Sequence, residues 1–91
     1  MKVSIITISF NTENTIEKTL QSVANQSHES IEHIIVDGGS KDNTLEICNS
    51  FSHVTKIISE PDNGVYDAFN KGLKLASGDV VGFLNADDIF Y

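Results

Sequence analysis

Two adjacent carboxylates near the end of the chain, Asp87 and Asp88, are the residues best suited to hold a metal ion. They follow an apolar run, and the side-chain amide of Asn85 lies two residues before Asp87. Hard oxygen ligands of this kind suit Mg²⁺ or Mn²⁺, which keep waters and take further ligands from substrate phosphates. The pattern predicts a divalent-metal site. In isolation, however, the pair would fit a solvated loop after a strand slightly better.

Polar residues also follow the three earlier apolar runs. These segments are Ser9-Phe10-Asn11, Asp37-Gly38-Gly39-Ser40 and Glu60-Pro61-Asp62-Asn63-Gly64. Each segment taken singly is typical of an ordinary turn. In an open α/β sheet, however, ligands bind outside the carboxyl ends of the strands. Four polar ends converging on one edge therefore indicate a binding site.

The side chains at these strand ends are suited to a nucleotide diphosphate. Phe10 offers an aromatic face on which a base could stack, and the carboxylate of Asp37 could accept a hydrogen bond from a base N–H. Gly38 and Gly39 let the main chain approach a ligand closely. A bound divalent ion would reverse the local field, so that an acidic protein could hold a diphosphate.

Composition limits the class of partner. The chain has 91 residues, with 13 acidic and 6 basic side chains and a net charge of −7. This balance argues against non-specific binding to nucleic acid or anionic lipid. The apolar start from Val3 to Phe10 is too short to span a bilayer and lacks a cleavage site. Cys48 is the single cysteine, which excludes an internal disulfide. We therefore expect a cytoplasmic protein with no transmembrane segment and no nucleic-acid partner.

Hydrophobic periodicity predicts strands alternating with helices. The predicted strands are Val3–Ile8, Ile31–Val36, Val54–Ile58 and Val80–Leu84, and the predicted helices are Ile16–Ala24, Leu45–Phe51 and Val65–Ala76. Asn14 and Glu17 form a candidate capping pair for the first helix, Asp42 or Asn43 caps the second, and Gly78 is predicted to end the third in a left-handed conformation. This βαβ order predicts a mostly parallel sheet with helices on both faces.

Other protein classes fit the pattern less well. A receiver-like signalling domain would need an acidic pair after the first strand, where this chain has Phe10-Asn11. A dinucleotide-binding domain would need glycines in the first turn, which has none. The three histidines, His28, His33 and His53, are predicted to be structural or surface residues rather than a metal set. A non-catalytic nucleotide-binding or protein-interaction fragment stays open as the alternative to an enzyme.

Several segments, in order along the chain, resemble the N-terminal half of family 2 glycosyltransferases. They are SIITISFN (residues 4–11), IVDGGSKDNT (35–44), SEPDNGVYDAFNKG (59–72), GD (78–79) and FLNADD (83–88). The sequence is most similar to bacterial enzymes of polysaccharide biosynthesis. The resemblance implies a Rossmann-like three-layer sandwich of the nucleotide-diphospho-sugar transferase (GT-A) type.

The resemblance also implies an activity, the transfer of a sugar from a nucleotide-diphosphate donor, usually a UDP-sugar, to an acceptor hydroxyl. The acceptor would be a glycan or lipid-linked, and the anomeric configuration would be inverted. Asp87 would be the metal-binding acid of an Asp-x-Asp motif whose first position is Asn85 here. Asp88 would be a second ligand of Mn²⁺ or Mg²⁺, or would touch the sugar. The residues expected at the donor nucleotide are Ser9, Phe10, Asn11, Asp37, Gly38, Asp62, Asn63, Tyr66, Asn70, Lys71, Asn85 and Ala86.

By the same resemblance, residues 1–91 form a single nucleotide-binding part of a truncated glycosyltransferase domain whose acceptor-binding half is absent. The general base is expected beyond Tyr91, so no catalytic residue is expected in this chain. We expect the isolated chain to bind donor nucleotide weakly without turnover. An incomplete sheet would leave one edge open, which predicts self-association. The expected location is cytoplasmic, extending to the inner face of the membrane.

Overall fold

A computed structural model describes residues 2–25, 30–61 and 64–85, without the side chain of Val65. Its elements are β1 (Val3–Ser9), α1 (Ile16–Ala24), β2 (Ile31–Asp37), α2 (Thr44–Asn49), β3 (Val54–Ser59), α3 (Val65–Leu75) and β4 (Val80–Asn85). The predicted alternation of strands and helices is confirmed. Each strand continues one residue beyond its apolar run, because main-chain pairing with a neighbouring strand extends to the polar residue that follows.

The four strands form one sheet in the order β3-β2-β1-β4, and every pairing is parallel. The register places Ser9 beside Asp37 and Asp37 beside Ser59. Asn85 pairs with Ile8 on the other side of β1. Among the described strands β4 lies at one edge, with Val80 and Phe83 about half exposed. Self-association through this edge stays a prediction.

Apolar side chains alternate between the two faces of the sheet and produce three layers. Ile35 of β2 packs with Ile16 and Leu20 of α1 and Cys48 of α2. On the opposite face Ile6, Ile34 and Val36 pack with Ala68 of α3. Burial on both faces explains why apolar residues occupy consecutive positions in β1 and β2, as in Ile5-Ile6 and Ile34-Ile35-Val36. No helix in the described ranges is long and apolar enough to cross a membrane.

Two glycines allow close packing. A Cβ atom on Gly72 of α3 would lie 2.5 Å from Cγ2 of Ile6, so this glycine lets the helix approach the sheet. The predicted left-handed conformation of Gly78 is wrong, since the described glycines with positive φ are Gly39 and Gly64. A Cβ atom on Gly78 would lie 2.8 Å from the main-chain nitrogen of Ser4, and the Gly78 N–H donates to the Ser4 hydroxyl. Close approach to β1, rather than backbone handedness, therefore requires Gly78.

The helix starts differ in part from the prediction. Helix α1 begins after Thr15 without a side-chain cap hydrogen bond, so the capping pair of Asn14 and Glu17 is wrong. Asn43 is the N-cap residue of α2, as predicted, also without a side-chain cap bond. Instead Asp42 accepts hydrogen bonds from the N–H and the hydroxyl of Thr44. The neighbouring acid therefore orders the start of α2.

Glu32 is a buried acid near the amino end of β2. It lies at the amino edge of the sheet, opposite to the carboxyl edge where the polar strand ends lie. It accepts hydrogen bonds from the Ser4 hydroxyl at 2.8 Å and the Ser77 N–H at 2.9 Å. Lys2 and Lys56 place their Nζ atoms 3.5 and 3.4 Å from its Oε2. Burial alone would raise the pKa of Glu32, but these hydrogen bonds and the charge of Lys2 lower it to about 2. One ionised side chain thus links β1, β2, β3 and the segment before β4.

His33 and His53 form a second polar cluster within the fold. His33 is fully buried, and its Nδ1 lies 2.9 Å from Nε2 of His53. Nε2 of His33 lies 2.7 Å from the Thr7 hydroxyl. Burial, together with the neighbouring His53, lowers the pKa of His33 to about 3. His33 is therefore a neutral structural histidine at physiological pH, in line with its interpretation from the sequence.

Candidate functional site

The polar strand ends lie together at the carboxyl edge of the sheet. The register brings Ser9, Asp37 and Ser59 side by side, and Asn85 ends β4 next to β1. In a parallel sheet the following helices begin at this same edge, so Tyr66 in the first turn of α3 belongs to it as well. The topology therefore gathers residues that are widely separated in sequence into one surface.

Asp37 is the centre of this edge and is fully buried. Its Oδ1 accepts hydrogen bonds from the hydroxyls of Ser9 at 2.7 Å and Ser40 at 2.5 Å. Its Oδ2 accepts from the N–H groups of Gly39 at 3.0 Å and Ser40 at 2.7 Å, and from the Ser59 hydroxyl at 3.0 Å. Five donors from β1, the turn after β2 and β3 therefore surround one carboxylate.

The hydrogen bonds decide the charge of Asp37. Burial alone would raise its pKa, because a carboxylate loses hydration when it leaves water. The hydroxyl and N–H of Ser40 and the hydroxyls of Ser9 and Ser59 outweigh this effect and hold the pKa below its ordinary value. The group is thus an anion whose charge is balanced by hydrogen-bond donors.

The turn after β2 is tied to both neighbouring strands. Gly38 donates its N–H to the Ser9 carbonyl at 2.9 Å, and Glu60 donates its N–H to the Asp37 carbonyl at 3.0 Å. Gly39 has a φ of 89°, a conformation that favours glycine. This turn is therefore fixed by main-chain contacts on both sides.

The loop after β1 is joined to the same turn. Asn11, with a φ of 50°, donates its N–H to the Ser40 hydroxyl and accepts the Lys41 N–H at its Oδ1. Beyond it, the N–H of Thr12 donates to the Thr44 hydroxyl at 2.9 Å. Phe10, the first residue of this loop, is 58% exposed. The exposed ring is thus carried by a loop whose base is cross-linked.

Helix α3 carries three further predicted residues, Tyr66 in its first turn and Asn70 and Lys71 in its middle. Tyr66 is 86% exposed, and Asn70 is also exposed. Nζ of Lys71 lies 3.1 Å from Oε1 of Glu60 and 3.5 Å from Oδ2 of Asp67, and it donates to the Pro61 carbonyl. Partial burial would lower the pKa of Lys71, but these acids raise it, so the amine stays charged. Lys71 thus fastens the segment after β3 to α3.

A cleft of about 340 Å³ lies on this side of α3. Its lining residues are Ile58, Glu60, Asp67, Asn70, Lys71, Lys74 and Leu75. Both predicted donor residues Asn70 and Lys71 contribute to it. Its lining thus combines two apolar residues with acidic and basic ones.

Five of the predicted residues lie outside the described part of the chain. They are Asp62, Asn63, Ala86, Asp87 and Asp88. Their roles at the donor and the metal stay predictions. Within the described ranges no group of three or more His, Cys, Asp and Glu side chains is placed to hold a metal ion.

Ser40 and Ser59 are not among the site residues predicted from the sequence, although both contact Asp37. Ser40 follows Asp37 by three residues, and this spacing is a known signal for an Asp side chain that accepts main-chain N–H groups in a turn. Ser59 carried no comparable signal, because its contact with Asp37 depends on the register between β2 and β3.

Comparison with known proteins identifies the family. Residues 4–91 match the sequence profile of Glycosyl transferase family 2. The chain belongs to this family. It is similar to an uncharacterized glycosyltransferase of Mycobacterium tuberculosis, with 43% identity over 97% of this chain and 34% of that protein. The chain thus spans about a third of the length of this relative.

Two solved structures of glycosyltransferases share the fold. TarS 1–349 of S. aureus in complex with UDP-GlcNAc matches with a TM-score of 0.91 and 30% identity, over 98% of this chain and 27% of that one. Glucosyl-3-phosphoglycerate synthase of Mycobacterium tuberculosis, in complex with Mn²⁺, UDP and glucosyl-3-phosphoglycerate, matches with a TM-score of 0.79 and 26% identity, over 93% and 33%. The family 2 chain therefore has the Rossmann-like GT-A architecture predicted from the resemblance.

Proposed function

We propose that residues 1–91 are the donor-binding part of a family 2 glycosyltransferase that transfers a sugar from a UDP-sugar to an acceptor hydroxyl. The observation that carries the proposal is the set of polar strand ends at one edge of a parallel sheet. Support comes from the UDP-GlcNAc bound to TarS and the UDP bound to glucosyl-3-phosphoglycerate synthase. In the same proposal the acceptor is a glycan or a lipid-linked molecule on the cytoplasmic side of the membrane. The transfer inverts the anomeric configuration of the sugar.

In this proposal the exposed aromatic rings bind the base and the rest of the nucleotide. Phe10 is exposed on a cross-linked loop, so stacking a base on its ring requires little reordering of the main chain. Tyr66 lies in the first turn of α3 at the same edge and is assigned to the donor together with Asn70. Lys71 contributes positive charge near the cleft while it remains paired with Glu60.

The chemistry of the donor set fits a hard divalent cation. Asn85 closes β4 at the carboxyl edge, and the acids of residues 87–88 follow within three positions. In the proposal Asp87 and Asp88 hold Mn²⁺ or Mg²⁺, with Asn85 beside them, and the Mn²⁺ in glucosyl-3-phosphoglycerate synthase supports this choice. When bound, such an ion neutralises charge on the diphosphate leaving group.

The residues of this chain bind and orient the donor, and none of them is assigned as the general base. That group belongs, in the proposal, to the roughly two thirds of the relative's length that this chain does not span. The isolated chain is therefore expected to bind UDP without transferring sugar. Sugar transfer by this chain would contradict that expectation.

Replacing Phe10 with Ala should weaken UDP binding about tenfold, because stacking on an aromatic ring contributes about 1–3 kcal/mol per base. Isothermal titration calorimetry with UDP measures the change. Phe10→Tyr is the matched control and should keep an affinity close to that of the original chain. If the Phe10→Ala chain and the unsubstituted chain bound UDP with equal affinity, the assignment of Phe10 to the base would be contradicted.

A further inference from the structure

The carboxylate of Asp37 has no free capacity for a ligand in this structure. A carboxylate offers about four lone-pair sites, and five donors from the chain itself already surround this one within 3.0 Å. The side chain is also fully buried. An incoming base N–H would have to displace one of these donors and leave it without a partner, which is costly in a buried site.

The hydrogen bonds around Asp37 connect it to the exposed parts of the edge. Ser40 donates its hydroxyl to Asp37 and accepts the Asn11 N–H at the same oxygen. Asn11 directly follows Phe10, so a chain of two hydrogen bonds runs from the buried anion to the loop that carries the exposed ring. On the other side, the Ser59 hydroxyl ties the end of β3 to the same carboxylate.

We propose that Asp37 is a positioning residue, which holds the ends of β1 and β3 and the Phe10 loop in place and does not itself contact the donor base. This inference rests on the proposed function only in naming the ligand. It differs from the role that the sequence resemblance implies, in which the Asp37 carboxylate holds the base.

Base preference distinguishes the two roles. Uracil presents an N–H at N3, whereas cytosine presents an acceptor there. A carboxylate in direct contact would therefore favour uracil and repel cytosine, whereas an amide, which can donate or accept, would bind both bases and shift the ratio towards CDP. For a positioning residue, Asp37→Asn should weaken UDP and CDP binding by the same factor, about tenfold, and leave the ratio of the two affinities unchanged. A shift of that ratio towards CDP by about tenfold or more would overturn the proposal.

Ser59→Ala provides the second variant, and it removes one donor while retaining the carboxylate. Because Ser59 acts through Asp37, the substitution should weaken the binding of UDP and of CDP by the same factor, a few-fold. Ser50→Ala is the control, since the Ser50 hydroxyl donates to the Ile47 carbonyl at the end of α2 and lies outside the network. It should leave both affinities unchanged.

Amide hydrogen exchange tests the same role without any ligand. The Gly39 and Ser40 N–H groups donate to Asp37, so they should exchange slowly in the unchanged chain and about tenfold faster in Asp37→Asn. Strand amides of Ile35 should keep their rates, which separates a local effect from unfolding. Unchanged exchange at Gly39 and Ser40 in both Asp37→Asn and Ser59→Ala would overturn the proposal. If the unchanged chain binds neither nucleotide, the proposed function fails, and this experiment still decides the role of Asp37.

Discussion

Replacing Glu32 with Ala should lower the free energy of unfolding by about 2–4 kcal/mol. The substitution removes the acceptor of the Ser4 hydroxyl and the Ser77 N–H, and it removes the counter-ion of Lys2 and Lys56. Both lysines are partly exposed and can be hydrated, so most of the loss comes from the hydrogen-bond donors. Urea unfolding followed by circular dichroism at pH 7 measures the change.

Two further variants serve as comparisons, one that removes only the charge of Glu32 and one that removes an exposed acid elsewhere. Glu32→Gln keeps the shape and one acceptor oxygen, so it should cost less than Glu32→Ala. Glu46→Ala removes an exposed acid from α2 and should change the free energy of unfolding by less than about 0.5 kcal/mol. A Glu32→Ala chain as stable as Glu46→Ala would contradict the role of Glu32 as the polar link at the amino edge of the sheet.

Lowering the pH from 8 to 5 should reduce the free energy of unfolding by about 2 kcal/mol through His33. The pKa of His33 is about 3 in the folded chain against an ordinary value of 6.5. Between these values the unfolded chain binds a proton that the folded chain does not, so stability is present above pH 6.5 and is lost as the pH falls. The pKa of His53 is also lowered by burial, which acts in the same direction.

Urea unfolding at pH 8, 7, 6 and 5 measures this dependence. The pKa values of Glu32 and Asp37 lie below their ordinary values, which are already under 5, so these acids contribute little in this window. His33→Gln should lower stability at pH 8 and remove most of the slope between pH 7 and 5. A slope that persists unchanged in His33→Gln would show that His33 is not its source.

The sequence predicted the elements well because the central strands are buried on both faces. Runs such as Val3–Ile8 are mostly β-branched and apolar, and neither feature depends on a distant contact. The helix start at Asn14 and the handedness of Gly78 were predicted wrongly because a cap motif or a glycine has several local solutions. For Gly78 the deciding contact is with Ser4 of β1, whose hydroxyl accepts the Gly78 N–H and which lies 74 positions away in the sequence.

The positions that form the candidate site could be predicted from the sequence, but most of the hydrogen bonds between them could not. Polar residues after apolar runs marked the edge, and the parallel register brought Ser9 and Asp37 together as expected. The hydrogen bonds of Asp37 with Ser9 and Ser59 were not visible, because these donors lie 28 and 22 positions away on other strands. Their convergence depends on strand order and register, which only the folded chain determines.

The central claim, a metal-dependent site for a nucleotide donor at the carboxyl edge, is tested most directly by calorimetric titration with UDP. The chain is titrated with and without Mn²⁺, and the series is repeated on Asp87→Asn. The proposal predicts binding that is at least about tenfold tighter with Mn²⁺, and the loss of this gain in Asp87→Asn. Absence of binding in every condition, or an affinity that neither Mn²⁺ nor the substitution changes, would contradict it.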